Sequence, residues 1–289
     1  MFLQCTLCGK GSLSKKVFET YDMETKELFS FFECSFCKVK RIYPIPSDMS
    51  LYYMKDTGIS MRKKTNRVHR FFKKVLLNKE FTRITKALDV EEFLDVGCGT
   101  GDFSELIHSK GYKIIAVDSA LERPVFIENT DIPYHRIDYD TYTINDFKAR
   151  RTVVILRHVL DHIKDPNNFI EKMLDYGALG FYIVVPDTDC MKMRIFRSYN
   201  CYIDPPRHIW HFNKGSLKIF FDRLNLKIVE FGYDTIPTIV PSIYRFLRIK
   251  GMPKIIYKYF EPKGTIATLS LPIDFLLPND VLWFIVKRK

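Results

Sequence analysis

The chain has 289 residues, 46% of them hydrophobic, with a net charge of +11 and a pI of about 9.2. That is enough for one sizeable core plus a small appendage, and no run of about 18 apolar residues provides a membrane span. The basic balance favours an anionic partner, whether nucleic acid, a phosphorylated small molecule or an acidic membrane surface, without choosing among them. Cys5 and Cys8 stand where a secretory leader would need its apolar stretch, so no leader is expected. A reducing cytoplasm is the expected compartment, with cysteines as metal ligands or free thiols rather than disulfides.

Cys5-Thr-Leu-Cys8 and Cys34-Ser-Phe-Cys37 form two C-x2-C pairs separated by 25 residues. Four thiolates so spaced suit a tetrahedral structural zinc ion, although two redox dithiols or free cysteines would share the pattern. Leu28–Glu33 reads as one arm of a hairpin between the pairs. So small a unit has little core of its own, and a metal would supply the missing stability. Arg41–Pro46 reads as an extended exit because its two prolines disfavour helix. Residues 59–88 are helix-permissive and basic (Arg62, Lys63, Lys64, Arg67, Arg70, Lys73, Lys74). A buried stripe is expected from Val68, Phe71, Phe72, Val75 and Leu76. The charges fit a solvated face or an electrostatic guide for an anionic substrate.

From Glu91 the pattern changes. Phe93, Leu94 and Val96 form an apolar strand that ends in a glycine turn, Gly97, Gly99 and Gly101, followed at once by an amphipathic segment with Phe103, Leu106 and Ile107. Strand, tight turn and helix point unpaired amides into the loop, where a polar ligand can sit. The spacing is G-x-G-x-G, neither the dinucleotide fingerprint nor a P-loop. Tyr112–Val117 reads as a second strand ending in Asp118, a position from which a carboxylate can accept from a ribose diol or cap the next helix. Tyr134–Ile137 is a weaker third strand before Asp138. Thr152–Leu156 is a fully apolar fourth strand that runs into Arg157 and His158, followed by a helix over Asn167–Tyr176. Phe181–Val185, Lys227–Gly232 and Val281–Val286 complete seven strands, with a long insertion over Tyr233–Asp280. That insertion mixes basic and aromatic residues and fits a pocket-shaping element, a lid or a segment lying on a membrane surface. Alternating strands and helices imply a parallel α/β sheet with ligands at the carboxyl ends of its strands.

FLDVGCGTGDF, AVDSA, VVILRHVLDHIKDPNNFIEKM and YIVVPD, in that order, resemble the motifs of class I S-adenosylmethionine-dependent methyltransferases over roughly residues 90 to 289. The resemblance implies a Rossmann-like seven-stranded sheet, strand seven antiparallel between strands five and six. It places Asp95, Gly97, Gly99 and Gly101 at the methionine part of the cofactor and Asp118 at the ribose. Asp138 would lie near the adenine, with Arg157 in the same cofactor-binding set. Leu160-Asp161-His162 stands where the family usually has Leu-Glu-His.

The segment DPPRHIWHFNKGSL, residues 204–217, is similar to one that precedes a helix in sugar and small-molecule methyltransferases. Asn213 is the expected helix cap, and Arg207, Trp210 and Phe212 surround two histidines. His208, His211 and His158, the last just past strand four, are the candidate catalytic bases. His162 is expected to hold the loop beneath the cofactor. The expected organisation is a zinc ribbon over 1–46, a basic helical linker over 47–88 and a methyltransferase domain over 89–289. The expected acceptor is a small anionic molecule such as a nucleotide-linked sugar or surface-glycan precursor. Ribosomal or transfer RNA, gripped by the ribbon and the basic helix, is the alternative, and a cofactor-holding module without turnover is a third.

Overall fold

Four strands open the chain: β1 (Leu3–Gln4), β2 (Ser12–Tyr21), β3 (Leu28–Cys34) and β4 (Lys40–Tyr43). A computed structural model describes residues 3–53, 67–120, 122–137, 151–260 and 271–289. Asp138 and the basic residues Arg62, Lys63 and Lys64 lie outside the described residues. After the short helix α1 (Ser50–Tyr53) comes α2 (Arg67–Ala87), then β5 (Glu92–Val96), α3 (Asp102–Ser109), β6 (Lys113–Asp118) and β7 (Tyr134–Arg136). The second half continues with β8 (Thr152–Arg157), α4 (Pro166–Asp175), β9 (Gly180–Pro186), α5 (Met191–Phe196), β10 (Trp210–His211) and α6 (Lys214–Arg223). It closes with β11 (Leu226–Asp234), α7 (Ile239–Ile249), α8 (Lys254–Tyr257), α9 (Leu271–Leu276) and β12 (Val281–Arg288).

The larger sheet has the order β11-β12-β9-β8-β5-β6-β7. Strands β5 to β9 pair in parallel, with Asp95 opposite Ala116 on one side and Ile155 on the other. Val153–Leu156 and Phe181–Ile183 are wholly buried, as expected of parallel strands covered on both faces. β12 runs against β9. The Asp187 amide donates to the Asp280 carbonyl at 3.0 Å at one end, and at the other a Cβ on Gly180 would stand 2.4 Å from the Val286 carbonyl. That close approach requires glycine at 180. Helix α4 begins with Pro166 after Asp165, whose carboxylate accepts from the Asn168 amide at 3.2 Å.

Of the stripe expected on α2, the side chains of Val68, Phe71 and Phe72 lie outside the described residues. Val75 and Leu76 are exposed, whereas Leu77 and Ile84 are buried and Phe81 packs on Phe93 and Tyr112. The seam 77–81–84 is itself a helical repeat, and aromatic packing partners select it over Val75 and Leu76.

The chain gathers into two compact units. One joins Met1–Tyr52, Val185–Phe220 and Gly232–Trp283; the other joins Tyr53–Val184, Phe221–Phe231 and Phe284–Lys289. The first holds a five-stranded antiparallel sheet in the order β1-β2-β3-β4-β10. Its fifth strand comes from far along the chain, with Trp210 opposite Arg41 and His211 opposite Lys40. The Arg41 guanidinium lies over the Trp210 ring at 4.8 Å, which fixes this short pairing. The second holds β5 to β8 and the core around Phe93, Leu94 and Val96.

Candidate active site

The turn after β5 takes Gly97, Gly99 and Gly101 through φ of 67°, 56° and 81°, the left-handed region where other residues are strained. A Cβ on Gly101 would meet Ile127 at 3.1 Å and Pro124 at 3.2 Å, whereas nothing lies within 4 Å of the corresponding point on Gly99. The loop is therefore clamped at one glycine and open at another. Helix α3 starts directly after it, so its first amides border the opening.

Asp118, buried at the carboxyl end of β6, ties this loop down. Its two oxygens accept from the Gly99 amide at 2.8 Å and the Ala120 amide at 3.1 Å. Each oxygen keeps a further lone pair for another donor. Tyr134 at the start of β7 donates to the Ala120 carbonyl at 2.8 Å, joining the third strand to the same corner.

Asp95 lies one layer deeper. It is buried and accepts from the Ser104 hydroxyl at 2.6 Å. Burial pushes its carboxyl up to about 6, against the opposing pull of Ser104 and the Arg157 charge. Arg157 is held by Glu80 of α2 at 2.7 and 3.2 Å and lies over the Phe103 ring at 4.9 Å. Its positive charge supports Asp95 from a fixed position.

A raised carboxyl in the folded state implies a stability cost that grows as pH rises. Between the unfolded value near 4 and the folded value of about 6, folding takes up a proton; above about 6 the buried charge costs on the order of 3 kcal/mol. Asp95→Asn should therefore raise Tm at pH 7.5, with the gain shrinking towards pH 4.5, in paired thermal melts. A pH-independent difference would show that Asp95 carries no such burden.

The three histidines differ sharply in setting. His158 follows β8 with φ of 56° and donates its amide to the Val184 carbonyl at 2.8 Å. Burial, aided by the Arg157 charge, holds its imidazole down to about 3, which makes it neutral and a weak base. His211, buried in β10, places Nε2 3.2 Å from the His208 carbonyl and packs against Phe31. His208 is only half-buried, its ring stacked on Tyr202 at 6.5 Å. Arg207, beside His208 in the sequence, is engaged inside the protein. It pairs with both oxygens of Asp204 at 2.7 Å, with Asp22 at 3.3 Å and with the Tyr52 carbonyl at 3.0 Å. Asn213 caps α6, accepting from the Ser216 amide at 2.8 Å.

The histidine segment is tied to the residues that follow β9 by a backbone bond. The Thr188 amide, two residues beyond β9, donates to the Phe212 carbonyl at 2.9 Å. Beside it stands Asp187, buried and pushed up to about 6, with its oxygen on the Asp189 amide at 3.0 Å. Sequence reading treats Asp187 only as the end of strand five. An acid directly after a buried apolar strand was the available signal.

Cys5, Cys8, Cys34 and Cys37 come together as expected from their spacing. All four sulfurs are buried and lie within 4.8 Å of one another, with Cys5–Cys37 at 3.9 Å and Cys8–Cys34 at 3.8 Å. A tetrahedron of thiolates about 2.3 Å from zinc has edges of about 3.8 Å, which these two separations match, so the set suits the metal. The Gly9 amide donates to the Cys5 carbonyl and the Lys38 amide to the Cys34 carbonyl, closing two matching knuckles. A Cβ on Gly11 would fall 2.5 Å from the Cys34 sulfur, so glycine keeps the centre open.

Sheet order, glycine turn and strand-end carboxylate together define a class I S-adenosylmethionine-dependent methyltransferase. Residues 62–231, more than half of the chain, match the family described as "Methyltransferase domain", and the chain belongs to that family. Among solved structures, it is similar to the magnesium protoporphyrin IX methyltransferase of Synechocystis PCC 6803 with bound SAH, at 10% identity and a TM-score of 0.53, covering 84% of this chain and all of that one (100%). It is also similar to a putative methyltransferase of Bacillus halodurans, at 14% identity and a TM-score of 0.51, covering 73% and 98%. At these identities the likeness is one of fold. No curated protein sequence matches it.

Proposed function

We propose that the enzyme methylates a small anionic acceptor, such as a nucleotide-linked sugar or surface-glycan precursor, in the cytoplasm, and carries one structural zinc ion on Cys5, Cys8, Cys34 and Cys37. The supporting observation for the acceptor side is the Thr188–Phe212 bond, which joins the histidine segment to the carboxyl end of β9, where α/β sheets bind ligands. S-adenosylmethionine supplies an electrophilic methyl group. In this reading Gly97, Gly99 and Gly101 give the cofactor close backbone access, Asp118 accepts from its ribose hydroxyls, and Asp95 shapes the loop from below. Asp138 is assigned to the adenine side by family resemblance alone.

His208 is the proposed base. It would take the proton of an acceptor hydroxyl as the oxygen bonds to the methyl carbon and the carbon–sulfur bond breaks, its electron pair left on the sulfur of the departing thioether. His158 is held neutral and weakly basic, and the His211 ring nitrogen faces a backbone carbonyl, so both serve better as supports. The net charge of +11 suits an anionic acceptor. RNA gains less support from α2 than its composition promises, because Lys73 is bound to Asp102 at 2.7 Å and Arg83 to the Tyr182 hydroxyl at 3.0 Å.

The test is transfer of a labelled methyl group into a cell extract, followed by separation of RNA, small molecules and glycans. Label is expected among the small molecules or glycan precursors, with His208→Ala lowering transfer by about 10²–10⁴-fold at unchanged cofactor affinity. Label in RNA would overturn the acceptor assignment, and full activity in the variant would overturn the base.

A further inference from the structure

One helix of the insertion, α9, is turned inside out. In α9 the acid Asp274 is fully buried, while Ile273, Phe275 and Leu276 are 53%, 62% and 78% exposed. Asp274 accepts from the Thr238 and Ile239 amides at 2.9 and 3.1 Å and pairs with the buried Lys192 at 2.8 Å. A helix in water normally does the reverse of α9. In α7, Arg245 is buried beside Val240 and Ser242, 3.5 Å from Asp204 and bonded to the Tyr21 carbonyl, while Phe246 is exposed. Because Asp274 caps the first amides of α7, the two helices are anchored at the same point.

The segment after α7 continues the pattern. Met252, Ile255, Ile256 and Tyr259 are exposed among the exposed Lys250, Lys254 and Lys258. No acidic residue occurs between Asp234 and Glu261. Arg248 is already engaged by Glu24 at 2.9 Å, which leaves the lysines as the outward charge. Large apolar side chains interleaved with lysines, without acids, are the composition of a segment that lies in a bilayer interface: apolar residues enter the acyl boundary and lysines meet anionic headgroups. No helix among the described residues is long and apolar enough to cross a membrane, so the contact would be peripheral. A protein partner that covered such a face would be acidic and apolar together; an anionic lipid surface offers both features at once.

We propose that α7, α8, α9 and the turn at Lys250–Met252 form a peripheral docking surface for anionic membranes. The experiment is flotation of the full-length, zinc-replete protein with vesicles of phosphatidylcholine alone or with phosphatidylglycerol at about 30 mol%. Wild type should float with the anionic vesicles, at least about tenfold better than with the neutral ones, and lose binding as salt is raised. Phe275→Ser/Leu276→Ser and Lys254→Ala/Lys258→Ala should each cut partitioning at least about tenfold at unchanged cofactor affinity. These side chains are exposed, and retained cofactor affinity reports an intact fold. Failure of wild type to float, or equal flotation of both variants, would overturn the proposal. So would a wild-type dimer in sedimentation that both variants dissolve without any vesicle binding, because the face would then belong to a second copy.

Discussion

Asp118→Ala should weaken S-adenosylmethionine binding by at least about a hundredfold in titration calorimetry. The carboxylate would offer a ribose diol two charge-assisted hydrogen bonds, each worth roughly 1.5–3 kcal/mol. The loss extends beyond the direct contact. The same oxygens hold the Gly99 and Ala120 amides at 2.8 and 3.1 Å, so alanine also releases the loop that the cofactor must meet. Asp118→Asn separates the two effects. Its carbonyl oxygen can keep one amide, while its NH2 group cannot accept from a hydroxyl. Asparagine should recover part of the thermal stability and little of the affinity. Unchanged affinity in the alanine variant would sink the cofactor assignment.

The second large effect concerns the cysteine centre. Metal analysis of the purified protein should find one zinc per chain, and Cys34→Ser should abolish it. Two of the sulfur pairs already stand at the separation a tetrahedral zinc requires, and β1 to β4 and their turns surround the four cysteines. Structural zinc contributes roughly 10–16 kcal/mol of apparent binding energy in comparable small modules. Removal of one ligand should therefore melt the five-stranded sheet well before the parallel sheet, giving two transitions where the wild type has one. Far-ultraviolet melts with and without a chelator would read this. A metal-free protein with an unchanged melting curve would refute the zinc assignment.

The parallel strands were legible because they are continuous apolar runs between turn signals, and Thr152–Leu156 could hardly be read otherwise. The glycine turn and Asp118 were legible because their chemistry is local: φ above zero at three positions and an acid at a strand end. What escaped depends on distant partners. The hold of Glu80 on the Arg157 guanidinium, 77 positions apart, has no local signal. Arg207 is enclosed by Asp204 and by Asp22, 185 positions away, a pairing no local pattern announces. Val75 and Leu76 read as buried positions of α2 and are exposed, because Phe93 and Tyr112, which select Phe81, belong to other elements. A two-residue strand such as β10 has no periodicity to read at all.

That last pairing has a consequence for synthesis. The β4 edge meets its partner only when residues 210 and 211 have emerged, about 170 residues later. At roughly 5–20 residues per second, the nascent ribbon spends on the order of ten seconds or more with one open edge on the ribosome. An open edge invites strand addition from other chains. The residues that will face Trp210 and His211 are Arg41 and Lys40, and long cations on an edge discourage such pairing. The arginine that later covers the Trp210 ring thus first serves as a gatekeeper, guarding the nascent chain until its own tryptophan arrives.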